Sequence, residues 1–379
     1  MPSATADSEG TAQLTPDARR LLWRWVFGWC GRLALIAFSL WLVGFVVLLA
    51  LLRWVGEGNP ATVFALYLPP LLWVLPGLCL WPLVLIFRFR TALWLGGLTA
   101  LLIPWSLGYR WASIPELPPA ATRPSHSLMV LTNNRGQHGG HSLRPFKNQI
   151  QPDFMLFQES AASATSYLRD PGYAEFPHGQ TLGEFTLLSR FPILRVEAIT
   201  RSSAGQNYRY AARFEIDWNG NRIALYNVHF PSPRGTLLAM RGGAFLYGLP
   251  VPTATWSARR QKLSAFWQGH QEHAKDLIAR LQAEPLPFLV VGDLNAPHLG
   301  RIHQQLTQIL IDTHQAAGSG LGFTFPGETG NPLALGEPWL RLDYIFCSPT
   351  WQAHGSWTEP DRPSQHRAVA ALLTLPPKE

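Results

Sequence analysis

Apolar and polar positions alternate on two different scales along this chain, and the change falls near residue 110. Before it, three stretches carry no Asp, Glu, Lys or Arg: Leu33–Leu52, Ala61–Phe87 and Thr91–Tyr109. At 20, 27 and 19 residues, each is long enough to cross a hydrocarbon core of about 30 Å. They predict three membrane-spanning helices, because nothing in this region supplies the polar outer face that a buried helical bundle needs. Pro69, Pro70, Pro76 and Pro82 interrupt the second, which predicts a kinked or partly re-entrant segment. A linker follows over residues 111–126, rich in Pro, Ala and Ser from Ile114 onward. Beyond it, short apolar runs bounded by turn residues predict strands at Leu128–Leu131, Phe154–Phe157, Phe185–Leu188, Ile223–Val228, Phe288–Val291, Tyr344–Phe346 and Ala368–Leu373. Arg259–Leu281 has helical spacing instead: Leu263, Phe266, Ala274, Leu277, Ile278 and Leu281 line one face. The expected organisation is an N-terminal segment 1–32, spans within 33–110, the linker, and a mixed α/β domain over 127–379 that is large enough to enclose a core.

Charge sets an orientation for the spans. Arg19, Arg20, Arg24 and Arg32 precede the first, and Arg88 and Arg90 separate the second from the third, whereas Arg53, Glu57 and Arg110 fall on the other side. The positive-inside rule then places the N-terminus in the cytoplasm. It predicts a multi-pass protein of a bacterial-type inner membrane, with the large domain periplasmic or extracellular. A long polar lead and two further apolar stretches fit a cleaved signal peptide poorly. The formal charge of +7 is shared, since residues 125–379 hold 22 Lys/Arg against 19 Asp/Glu. A domain so mildly basic gives no electrostatic argument for nucleic acid. Cys30, Cys79 and Cys347 form no disulfide framework, and the spans contain no ionisable residue to line a transport pathway.

Five polar fragments sit at, in or just before apolar runs: Gln158-Glu159, Asn227-Val228-His229, Gly292-Asp293-Leu294-Asn295, Arg341-Leu342-Asp343-Tyr344 and Ser364-Gln365-His366. Carboxylates, amides and imidazoles so placed can converge at one rim of a buried sheet, hold a divalent cation and activate water. In this order, with Leu188-Ser-Arg-Phe-Pro-Ile193 between the first two, they resemble the endonuclease/exonuclease/phosphatase superfamily over about residues 125–376. The resemblance implies a four-layer α/β sandwich, two packed β-sheets flanked by helices, that hydrolyses phosphoesters with Mg²⁺ or Mn²⁺.

The resemblance also assigns roles. Glu159 is a metal ligand, and an asparagine ending the first strand is its companion. Asn133 and Asn134 both fit, and the spacing from Thr132 favours Asn134. Asp293 orients or deprotonates the attacking water, Asn295 meets the phosphate or the developing charge, and His229 contacts phosphate. Asp343 fixes the tautomer of His366, which serves either as general base or as an imidazolium. Asn227 points to the opposite face of a regular strand from His229.

Gln365 departs from the family pattern, which usually carries Asp there; the loss of a negative charge motivates an alternative, a membrane-anchored binding or scaffold domain with reduced turnover. His138, His141, His270, His273, His298 and His314 lack partners at zinc spacing and read as surface or supporting residues, with His298 the nearest candidate for a substrate contact. Pro231–Ser257, apolar and Gly-rich, reads as a lid, a membrane-facing lip or a loop packed on the domain. Substrates open to this chemistry are lipid headgroups, nucleic acid and soluble esters. The membrane tether favours the first.

Overall fold

Each of the seven apolar runs is a strand in the computed structural model, which describes residues 15–376 apart from 114–115, 125, 137–141, 161 and 204–205. His138, His141 and parts of the expected linker lie outside the described residues. The strands are β1 (Ser127–Asn134), β2 (Phe154–Gln158), β3 (His178–Leu182), β4 (Phe185–Ser189), β5 (Ile193–Ser203) and β6 (Gln206–Trp218). They continue with β7 (Asn221–His229), β8 (Phe288–Asp293), β9 (Ile311–Asp312), β10 (Asp343–Cys347), β11 (Gln352–Thr358) and β12 (Val369–Thr374). Two six-stranded sheets result, ordered β11-β12-β1-β2-β4-β3 and β5-β6-β7-β8-β10-β9.

The strands that periodicity does not reveal are instructive. Four of them, β3, β5, β9 and β11, are the outer strands of the two sheets. An edge strand meets solvent as well as core, so its apolar content is diluted. The fifth, β6, alternates apolar residues with Arg213 and Glu215, which face a charged network with Glu284 and Arg222.

The sheets pack face to face. Leu128, Val130, Leu156 and Phe185 of the first meet Phe214, Leu225, Leu289, Val291 and Ile345 of the second. Helices cover both outer faces. Phe146 and Ile150 of the Arg144–Ile150 helix lie against Met129, Leu131 and Met155, while Ala274, Leu277 and Leu281 of the Ala254–Gln282 helix lie against Ala224, Val228 and Val290. Two packed mixed sheets flanked by helices are therefore present, as the resemblance implied.

The pairing also decides where the chemistry gathers. β1 runs parallel to β2 and β7 parallel to β8, with Asn134 opposite Gln158 and His229 opposite Asp293. Antiparallel β10 begins where β8 ends, so Asp343 also lies opposite Asp293. Several strand ends thus meet at one rim.

The expectation of three spans needs correction. Among the described residues, Pro16–Trp54 is the one helix long and apolar enough by itself to cross a membrane; Pro60–Tyr67 and Leu71–Phe87 qualify only as a pair bent by 75°. The bend falls at Leu68-Pro69-Pro70, where Leu68 is extended and proline removes main-chain donors. The remaining helix, Phe89–Ser106, does not qualify; it carries Arg90 and has Pro104 inside it. A single N-terminal apolar helix is common to membrane anchors and signal sequences, and it establishes neither a multi-pass topology nor the side on which the sheets lie.

Cα packing divides the chain into two compact units, one of residues 1–46 and 73–102 and the other of 47–72 and 103–379. In the first, Ala34, Phe38, Val84 and Ala92 form a small apolar core. In the second, the turn and short helix after Trp54 share a unit with the sheets.

Candidate active site

Gly292 lets β8 deliver its aspartate. Its φ is +135°, and a Cβ there would lie 2.1 Å from the Val228 carbonyl oxygen of β7, so only glycine permits this approach. Asp293 follows at the strand end, 1% exposed. Two neighbours adopt left-handed backbone without being glycine: Glu159 at φ +47° and Asn295 at φ +45°. Such conformations cost an ordinary residue about 1 kcal/mol or more and concentrate at functional sites.

The side chains converge on Asp293. Asn134 Nδ2 donates to Glu159 Oε1 at 3.1 Å and to Asp293 Oδ2 at 3.0 Å. The Asn295 main-chain N–H donates to Asp293 Oδ1 at 2.8 Å, and its amide Nδ2 lies 3.3 Å from Oδ2. His229 Nε2 is 3.4 Å from Glu159 Oε1 and 3.8 Å from Asp293 Oδ2. His366 Nε2 is 3.7 Å from Asp293 Oδ2, while its Nδ1 is 2.9 Å from Asp343 Oδ2. All seven residues singled out in the sequence thus lie in one cluster.

Electrostatics follow from this crowding. Burial alone would lower the His366 imidazole, yet Asp343 and Asp293 outweigh it and push its pKa up to about 9. For His229 burial also lowers the value, and Glu184, Asp293 and Glu159 together leave it above the ordinary one. Burial pushes the Asp293 carboxyl up; Asp343 adds to this while His366 and His229 oppose it.

The donor set fits a divalent cation. Three carboxylates supply the oxygen ligands that a hard cation takes, while Asn134 turns its Nδ2 to two of them and its Oδ1 accepts from the Gly136 N–H at 2.8 Å. Asp343 Oδ1 is buried without a hydrogen-bond partner, and the amide N–H group of Asn134 bridges two carboxylates as a cation would. Asp293, Asp343 and His366 each offer a ligand atom within 4.8 Å of the others.

The structure also sorts neighbours that the sequence left open. Asn133 turns away from the carboxylates: its Nδ2 donates to the His366 carbonyl at 3.2 Å, and its Oδ1 accepts from Arg362 at 3.1 Å. Asn227 is buried between the sheets, where its Oδ1 accepts from Gln158 Nε2 at 2.6 Å. Gln365 is exposed, and its Oε1 lies beside Gly136, whose N–H donates to Asn134 Oδ1 at 2.8 Å. Glu184 escaped the sequence reading. It sits in the turn between β3 and β4, a place where acidic residues are ordinary, and its Oε2 comes within 3.1 Å of His229 Nδ1.

Of the histidines read as surface or supporting residues, the described ones fit the supporting reading. His270, His273 and His314 are buried, and His298 Nε2 is 2.8 Å from the Leu107 carbonyl oxygen. The insertion packs on the domain: Leu237, Met240 and Phe245 meet Val63, Phe64 and Trp267, although Leu238, Leu246 and Leu249 remain exposed.

The sequence profile of the Endonuclease/Exonuclease/phosphatase family matches residues 133–366. Among solved structures, the chain is similar to an endonuclease/exonuclease/phosphatase from Beutenbergia cavernae DSM 12333, at 16% identity over 66% of this chain and 72% of that one, with a TM-score of 0.43. One from Bacteroides vulgatus is similar at 16% identity, covering 66% and 99%, with a TM-score of 0.44. The 3' phosphatase NExo from Neisseria, bound to a product DNA hairpin, is similar at 13% identity, covering 64% and 98%, with a TM-score of 0.41. Comparison with curated proteins gives no match.

Proposed function

The chain belongs to the endonuclease/exonuclease/phosphatase family, and on that basis we propose that it is a divalent-metal-dependent phosphoester hydrolase tethered by its N-terminal apolar helix. The observation that carries this reading is the meeting of Asn134, Glu159, His229, Asp293 and the Asp343–His366 pair at one rim. Glu159 and Asn134 would hold the ion. Bound Mg²⁺ or Mn²⁺ supplies Lewis-acid polarisation of the phosphoryl group.

The protein's own groups do the rest. Asp293, raised by burial, accepts the proton of the water whose oxygen attacks phosphorus. The bond from phosphorus to the leaving oxygen breaks, and that oxygen takes a proton from solvent. Asn295 holds Asp293 through its main-chain N–H. His366, with its pKa near 9, is charged at neutral pH; this supports its role as an imidazolium donating to the phosphoryl oxygens rather than as a base. His229 lies on the other side of Asp293 and carries raised basicity for the same task.

Gln365, where the family usually carries Asp, is the reason to consider a binding domain with reduced turnover; the acidic and histidine residues gathered around Asp293 favour the hydrolase reading. Exposed leucines on the insertion favour a substrate at a lipid surface over duplex DNA. The test is turnover by the full chain in detergent of bis-p-nitrophenyl phosphate, plasmid DNA and a phospholipid panel, each with Mg²⁺, Mn²⁺ or EDTA. Metal-dependent hydrolysis that disappears in Glu159→Ala and Asp293→Ala is the expected result. A folded chain that turns over nothing and binds no divalent ion refutes the reading.

A further inference from the structure

The loop that follows β8 is held from outside the sheets. Its main-chain carbonyls at Leu294, Asn295 and Ala296 lie 3.1 Å from His270 Nε2, 2.6 Å from Tyr67 Oη and 2.8 Å from Tyr344 Oη respectively. Tyr344 belongs to β10 and His270 to the helix packed on the sheet. Tyr67 ends the short helix Pro60–Tyr67, in the apolar segment that precedes the linker.

Further along the loop the same segment takes hold again. Glu57 Oε2 accepts the main-chain N–H groups of Arg301 at 2.8 Å and Ile302 at 3.3 Å, where the Arg301–Leu306 helix begins. Glycines open the approach on both sides: a Cβ on Gly300 would lie 2.1 Å from Glu57 Oε1, and one on Gly56 would lie 2.8 Å from the Arg301 nitrogen. Glu57 is 1% exposed, a place where a carboxylate survives only with such partners. The short helix is itself tied down, since Asn59 Nδ2 donates to the Gly248 carbonyl at 2.9 Å and the Tyr67 carbonyl accepts from Trp339 Nε1 at 3.2 Å.

We propose that the polar turn and short helix over residues 56–67 are part of the catalytic centre, with Glu57 and Tyr67 as positioning residues for the loop that carries Asp293 and Asn295. This rests on the hydrolase reading above. The physical reason is the left-handed backbone of Asn295, which needs outside bonds to persist. Tyr67 holds the carbonyl of the same residue whose N–H holds Asp293. Glu57 holds the loop's far end. The N-terminal region then does more than tether the sheets.

The experiment compares full-length wild type, Tyr67→Phe, Glu57→Gln and Ser319→Ala in detergent with bis-p-nitrophenyl phosphate and Mg²⁺ or Mn²⁺. Ser319 Oγ donates to the Ala112 carbonyl, so its loss removes a contact with the linker after the apolar helices, apart from the bonds of Glu57 and Tyr67, and serves as the control. Loss of one buried hydrogen bond that matters only for positioning should lower kcat about ten-fold in Tyr67→Phe. KM should stay within about two-fold and the melting temperature close to that of the control. Hydrogen exchange at the Asn295, Arg301 and Ile302 amides should quicken in the two variants and not in Ser319→Ala. Active wild type with kcat in both variants equal to the control overturns this proposal alone. An inactive wild type overturns the hydrolase reading and this proposal with it.

Discussion

Replacing Asp343 with Asn tests the electrostatic core of the site, because it removes a charge and keeps the shape. His366 is ordinarily half-protonated near 6.5 and is raised here to about 9, with Asp343 the largest of the influences that raise it. That difference corresponds to a preference for the imidazolium on the order of 3 kcal/mol. A neighbouring opposite charge shifts such a group by roughly 1–3 units, so Asp343→Asn should move His366 from about 9 back towards neutrality. If the imidazolium is the working form, wild-type kcat/KM falls as pH rises through about 9, and the variant's falls at least about one unit earlier. The sign for stability is the same. A raised histidine stabilises the fold fully below about 6.5, and that contribution is lost as pH rises through about 9, so the variant should have less of it at neutral pH. The assay is the pH profile of bis-p-nitrophenyl phosphate hydrolysis between about pH 5.5 and 10.5, bracketing both values. An alkaline limb that stays in place while the rate merely drops would refute the assignment of His366. So would activity that rises as pH climbs through the His366 pKa, since that is the behaviour of a base.

Glu159→Gln and Asp293→Asn should each lower metal-dependent kcat by at least about a hundred-fold, and titration calorimetry with Mn²⁺ should show weaker binding in Glu159→Gln. Gly292→Ala meets the Val228 carbonyl 2.1 Å from its new Cβ at a φ of +135°, so urea unfolding should report a loss of about 2 kcal/mol or more. Arg341 pairs with buried Asp312 at 2.8 Å, and His303 shares that carboxylate at 2.8 Å. Arg341→Ala strands the charge and should cost about 3–5 kcal/mol of stability by the same measurement; a loss below about 1 kcal/mol would contradict the pairing.

Much of this protein is written in local pattern. An apolar run such as Phe288–Val291 has to be buried whatever surrounds it, so the inner strands other than β6, the long Ala254–Gln282 helix and the polar residues at strand ends are legible without a structure. Edge strands are not, because half of their positions answer to solvent. Tertiary structure decided what depends on approach between distant residues. It turned Asn134 rather than Asn133 towards the carboxylates, brought Glu184 to His229, put Gln365 beside Gly136, and bent the second apolar stretch by 75°, leaving among the described residues one helix that qualifies by itself as a span. It also placed Glu57 and Tyr67 against a loop more than two hundred residues away. A hydrophobicity pattern records whether a residue leaves water, and that is a property of its own neighbourhood. Which donor meets which acceptor is decided only when the sheets close and glycines such as Gly292 and Gly300 let two backbones come within contact.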